Sequence, residues 1–186
     1  MLQDIVDRHE GLSEASRRLL QSDVTTTVPG LAGVLADLVV AGVEWAPLVD
    51  LALGELGQCL VVESLDDAIG WHATWGPTPA AEAVLAAGGR ISFLAGQLLR
   101  DPDEFEPGHH PGIVGRLDRL ISDGGQADAV PDLIRRLLGR AWIVERVEHA
   151  LPLLPVAPSG TLFLARDGTS VMADGGFTIG LSLIHI

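Results

Sequence analysis

The residues in this chain with the widest chemical reach are carboxylates and histidines set among apolar neighbours. Asp37 stands inside Leu35-Ala36-Asp37-Leu38-Val39, and Asp118, read as its counterpart in the second half of the chain, inside Leu117-Asp118-Arg119-Leu120. A lone carboxylate in an apolar run needs a partner. Acid–base chemistry by the two is one reading; the plainer one is a structural hydrogen bond, for example to a helix N-terminus. Residues 101–112 (DPDEFEPGHHPG) add four acids and the pair His109-His110, which are the ingredients of a metal site. Adjacent histidines on a strand point to opposite faces, so the default reading of this Pro- and Gly-rich stretch is a linker. Cys59 lies in an apolar strand-like run, where a small core hydrophobe is expected. An enzyme or ligand-binding domain would have to bring Asp37, Asp118 and the His109-His110 loop to one pocket.

Other chemistry is missing from the sequence. It contains no phosphate loop of the GxxxxGK[ST] type and no G-x-G-x-x-G after a strand. It has no HExxH, no GxSxG and no cysteine cluster with zinc spacing. The expectation is therefore no catalytic residue, no cofactor and no bound metal.

The elements that must position these residues come from a duplication. Leu56–Ala68 (LGQCLVVESLDDA) and Leu138–Ala150 (LGRAWIVERVEHA) follow one scheme at an offset of 82 residues. Each has Leu-Gly, a short apolar strand, Glu, and an acidic opening to a helix. Strand-like Gly33–Val40 and helix-like Pro47–Leu56 precede the first copy; Gly115–Ser122 and Pro131–Leu138 precede the second. Strands at Arg90–Leu94 and Thr161–Ala165 follow. Each half reads β-α-β-α-β, giving an α/β fold of two similar lobes. Trp71 and Trp75, four apart on the helix after the first phrase, share a face and are read as packing. Ala80–Gly89 is Ala-rich and reads as helix. Leu2–Gln21 has helical spacing interrupted by Gly11, consistent with an amphipathic helix or the end of a coiled coil. The expected divisions are 1–22 for this helical stub, 23–100 for the first lobe, 101–112 for the linker and 113–180 for the second lobe.

At 186 residues and 47% hydrophobic, the chain can build a real core. No apolar run is long enough to span a membrane, and the N-terminal residues lack the apolar segment of a signal peptide. A single cysteine cannot form an internal disulfide, and a reducing, cytoplasmic setting is the simple reading. Net charge is −13, from 25 acids and 12 bases, which repels phosphate overall. Every base is Arg; Lys, Asn and Tyr are absent, as a GC-rich genome would produce.

The sequence closes on Asp167-Gly168, a hairpin-turn signal after a strand, and on Gly175-Gly176 followed by Gly180. Such glycines permit close backbone approach or positive φ. Here a family resemblance emerges. Arg8–Ala15 (RHEGLSEA), Gly33–Val39 (GVLADLV), Leu53-Gly54 through Val61–Ala68 (VVESLDDA) and the Asp-Gly…Gly-Gly-x-x-x-Gly ending occur in one order over nearly the whole chain. Together they resemble the hinge domain of bacterial SMC (structural maintenance of chromosomes) proteins. The resemblance implies an SMC hinge-like fold of two lobes after the end of a coiled-coil arm. It implies a homodimer in which one lobe of each chain meets the other lobe of its partner, with Gly175, Gly176 and Gly180 at the interface. It also implies a longer protein with coiled-coil arms and an ATPase head, cytoplasmic and nucleoid-associated, acting in chromosome compaction and segregation. The hinge would not be an enzyme. DNA contact is expected of the longer protein rather than of this acidic segment. The family's ending carries a second glycine where this chain has Leu181. Leu181–Ile186 (LSLIHI) can be back-translated to a transposon end used as a sequencing adapter, so a non-native tail is expected at 181–186.

Overall fold

A computed structural model describes residues 14–21, 28–74, 86, 90–122 and 131–180. The helical stub before Glu14, Trp75, nearly all of 80–89 and the 181–186 tail lie outside the described residues. Among those described, the elements run α1 (Glu14–Gln21), β1 (Leu31–Val34), α2 (Leu35–Leu38), α3 (Ala46–Leu53), β2 (Leu60–Val62), α4 (Leu65–Thr74) and β3 (Phe93–Ala95). They continue with β4 (Ile113–Arg116), α5 (Leu117–Ser122), α6 (Pro131–Leu138), β5 (Ala141–Val144), β6 (Leu162–Ala165), β7 (Ser170–Met172) and β8 (Phe177–Thr178).

Two sheets form, one of order β1-β2-β3 and one of order β4-β5-β6-β7-β8. The duplication is visible in their registers. β1 runs antiparallel to β2 with Gly33 opposite Val61; β4 runs antiparallel to β5 with Gly115 opposite Ile143. Both pairs break register at the same place, between Leu31 and Gly33 and between Ile113 and Gly115. β2 and β3 are parallel, as are β5 and β6. The central strands β2 and β5 are buried along their whole length. This is why they read as continuous apolar runs rather than alternating ones.

Each sheet carries its own core. In the first unit, Leu19 of α1 joins Val28, Val34, Leu60, Val62, Ala68, Trp71 and Ala95, and Trp71 meets Phe93 edge-on at 5.9 Å. In the second, Trp142, Val144, Phe163, Ala165 and Val171 pack with Ala150 and Leu153. Packing does not follow the chain in order: residues 38–54 group with 99–186, while 1–37 and 55–98 make the other unit. Thus α3, which the sequence places in the first half, packs on α6 and β6 through its buried Leu48, Val49 and Leu53.

Two sequence readings change. The strand-like runs 33–40 and 115–122 are short strands that turn helical at Leu35 and Leu117. At the first turn the Leu35 amide donates to Cys59 O at 2.9 Å, and both leucines are fully buried. Asp37 and Asp118 therefore lie in first helical turns, where the helix dipole favours acids. Nor are they counterparts: the shared register matches Asp37 with Arg119, and Asp118 with Ala36. The second change follows β5. The first copy has the ten-residue α4 after its strand, whereas the second has only a 3-10 turn over Val147–Ala150 and further turns. Pro152, Pro155 and Pro158 remove amide donors and clash with preceding carbonyls, so no α-helix can run there.

Candidate dimerisation surface

The end of the chain builds two successive hairpins of one design. Ala165 N donates to Thr169 O at 2.8 Å and Gly168 N to Ala165 O at 3.0 Å. Arg166-Asp167-Gly168 is thus a three-residue loop closed by Gly168 at φ +84. Asp167 Oδ1 accepts from Thr169 N at 2.9 Å and stiffens it. Next, Met172 N donates to Gly176 O at 2.8 Å and Gly175 N to Met172 O at 2.9 Å, with Gly175 at φ +94. Asp174 Oδ2 accepts from Gly160 N at 2.7 Å, tying this second loop to the turn before β6.

Gly175 therefore serves the hairpin itself. A side chain on Gly180 would meet the backbone of Gly168 and lie 2.7 Å from Asp167 O, so Gly180 lets the chain end close on the first loop. Gly176 borders the side chain of Met172. Gly175 and Gly180, two of the three glycines expected at an interface, thus shape the backbone on either side of β8.

β8 is an edge strand. Phe177 stands opposite Val171, and directly opposed residues of an antiparallel pair share a face. Val171 is buried in the second unit's core. The core face therefore continues onto Phe177, which is 60% exposed; Ile179, just past β8, is 71% exposed. Sequence reasoning stopped at the glycines and missed this pair. The signal available was the alternation Phe177-Thr178-Ile179 directly after Gly175-Gly176, the period of a strand with one apolar face.

The residues of the enzyme reading are divided between the two units: Asp37 belongs to the first and Asp118 to the second. Asp118 is buried and accepts two bonds from Arg116, at 2.7 Å from Nε and 2.9 Å from Nη2. His109 and His110 lie on the 101–112 stretch, where His110 Nδ1 is 3.2 Å from Pro111 O. Among the described residues no group of three or more His, Cys, Asp or Glu is placed to hold a metal. Cys59 is buried, and burial pushes its thiol pKa up, away from the reactive thiolate. No helix among the described residues is long and apolar enough to cross a membrane.

Two sheets of related register among the described residues define a duplicated two-lobed α/β module. The chain belongs to the SMC hinge family: the profile of the SMC proteins Flexible Hinge Domain matches residues 28–154. It is 28% identical to the chromosome partition protein Smc of Rhodopirellula baltica over 97% of this chain, which spans 14% of that protein. Its fold is similar to the SMC hinge domain of Geobacillus stearothermophilus, solved as an asymmetric dimer, with TM-score 0.74 and 21% identity over 96% of this chain and 70% of that one. It is also similar to the Pyrococcus furiosus SMC hinge domain, with TM-score 0.66 and 20% identity over 94% of this chain and 84% of that one.

Proposed function

We propose that this chain is a hinge at which two copies of a chromosome-partition protein join, pairing through β8 and the apolar strip Phe177–Ile179. The observation that supports this best is the uncovered continuation of the core face at an edge strand. An unpaired strand edge with apolar side chains invites another strand. Among the described residues β3 is the outer strand of the first unit's sheet, a second edge at which one lobe of each chain can meet the other lobe of its partner. Gly175 and Gly180 act in this reading by fixing the backbone on either side of β8, and Gly176, between them, lies at the same interface. The hinge is the non-catalytic part of a longer protein with coiled-coil arms and an ATPase head, located with the nucleoid in the cytoplasm. DNA contact falls to that longer protein, since this segment carries a net charge of −13.

Sedimentation equilibrium of this chain tests the reading. The expected result is a dimer that Phe177→Asp converts to monomer, while Val156→Asp, at an exposed apolar residue outside β8 and its hairpin, leaves it dimeric. Phe177 is a better probe than Gly175, because any side chain at Gly175 strains the hairpin itself. A wild-type chain that stays monomeric at high concentration, or a dimer indifferent to Phe177→Asp, refutes the proposed surface.

A further inference from the structure

From Leu99 to Gly108 the chain forms neither helix nor strand, yet its side chains bind it to the second unit at both ends and in the middle. Phe105 is the central plug, with its ring edge-on to Trp142 at 5.8 Å and to Phe163 at 6.4 Å. Ahead of it, Asp101 accepts from Arg136 Nε at 3.1 Å and pairs with Arg135 at 2.9 Å. Behind it, Glu106 accepts from Arg119 at 2.8 Å. Pro102 lies so close to Gly139 that a side chain there would meet its ring at 2.8 Å. Gly139 belongs to the repeated Leu-Gly phrase, and in this copy its bare backbone seats the segment.

The apolar and ionic parts of this attachment differ in exposure. Trp142 and Phe163 are buried. The acids of the charged pairs stand in water, Glu106 61% and Asp101 57% exposed, while their arginines range from Arg119 at 57% to Arg136 at 26%. Exposed pairs are individually weak and screened by salt; the screening length falls from about 10 Å at 0.1 M to about 3 Å at 1 M. Three of them share one short segment with a single plug, so their loss acts on one closure.

We propose that residues 99–108 form a salt-releasable strap, held on the second unit by the Asp101 and Glu106 latches around the Phe105 plug. At low ionic strength the strap is closed and fixes the path of the chain into β4. At high ionic strength counterions replace the acids on Arg119, Arg135 and Arg136, the plug leaves, and the edge of the Trp142–Phe163 cluster is uncovered while the sheet stays folded.

The test is fluorine NMR of the whole chain carrying 4-fluorophenylalanine. The four phenylalanines give four resonances, and Phe105→Leu identifies the one of interest. Between 0.05 and 1 M NaCl the Phe105 resonance is expected to move at least halfway to its position in urea, with Phe93 of the first unit unmoved. The double variant Asp101→Asn/Glu106→Gln is expected to show the moved position already at low salt and to respond no further. Glu-C cleavage after Glu104 should rise about tenfold under the same two conditions. A Phe105 resonance indifferent to salt, or a double variant indistinguishable from wild type, overturns the proposal, because the plug would then hold alone. So does a shift shared by all four resonances, which would be loosening of the whole fold.

Discussion

The Arg116–Asp118 pair marks a difference in chemistry between the duplicated halves. Its side chains are 14% and 7% exposed, and it is bidentate. The equivalent positions of the first unit hold Val34 and Ala36. Taking one charge from a buried pair strands the other, at a cost of about 3–5 kcal/mol. Asp118→Ala and Arg116→Val should each cost about 3 kcal/mol, a large share of a stability of about 5–15 kcal/mol. The double variant Arg116→Val/Asp118→Ala copies the first unit. It leaves no unpaired charge, so it should be no less stable than either single variant, with a coupling energy of about 3 kcal/mol. Urea unfolding followed by far-UV circular dichroism measures all four corners of the cycle; at an m-value of about 2 kcal/mol/M, each single variant lowers its midpoint by about 1.5 M. Additive losses, with a coupling under about 0.5 kcal/mol, would falsify the reasoning and make the pair a surface-like decoration.

Gly175→Ala should cost about 1–2 kcal/mol through its left-handed backbone alone, since nothing lies within 4 Å of the new methyl. Gly180→Ala should cost about 1–3 kcal/mol by a different route, pushing against the Asp167-Gly168 backbone; both are read by urea unfolding. The hydrogen bond from Arg136, aided by charge from Arg135 and Arg136, holds the Asp101 carboxyl below its usual range. A depressed carboxylate stabilises the closed strap above the unfolded value of about 3.9 and ceases to do so as pH falls through the folded value. The Phe105 fluorine resonance should therefore hold steady down to the ordinary carboxylate range and move only below it; movement near neutral pH would contradict this. Cys59, buried with a raised pKa, should resist Ellman's reagent in the folded chain and yield one thiol per chain in urea.

Much of this protein was legible in the sequence because local chemistry and short period were enough. The 82-residue duplication, the apolar central strands, the Pro-opened helix 131–138 and the Asp167-Gly168 hairpin all rest on residue types a few positions apart. So does the resemblance to SMC hinges, carried by short motifs in a fixed order. What the sequence could not place depended on partners distant in the chain. The runs around Asp37 and Asp118 look like strands by composition, and only the structure shows them turning helical at Leu35 and Leu117; that the two acids are not equivalent already follows from the 82-residue offset, which sets Arg119 against Asp37. Helix α3 reads as part of its own half, and only its buried Leu48, Val49 and Leu53 show that it packs with the second unit. The acidic stretch 101–112 reads as a loose linker, because nothing local reveals that Arg119, Arg135 and Arg136 lie opposite its acids. Phe177 is a single aromatic in a short run until Val171 is seen beside it. Propensity and periodicity act over a few residues and are written in the chain; register, pairing of charge and the uncovered edge of a core arise only when segments meet, and the tertiary structure decides them.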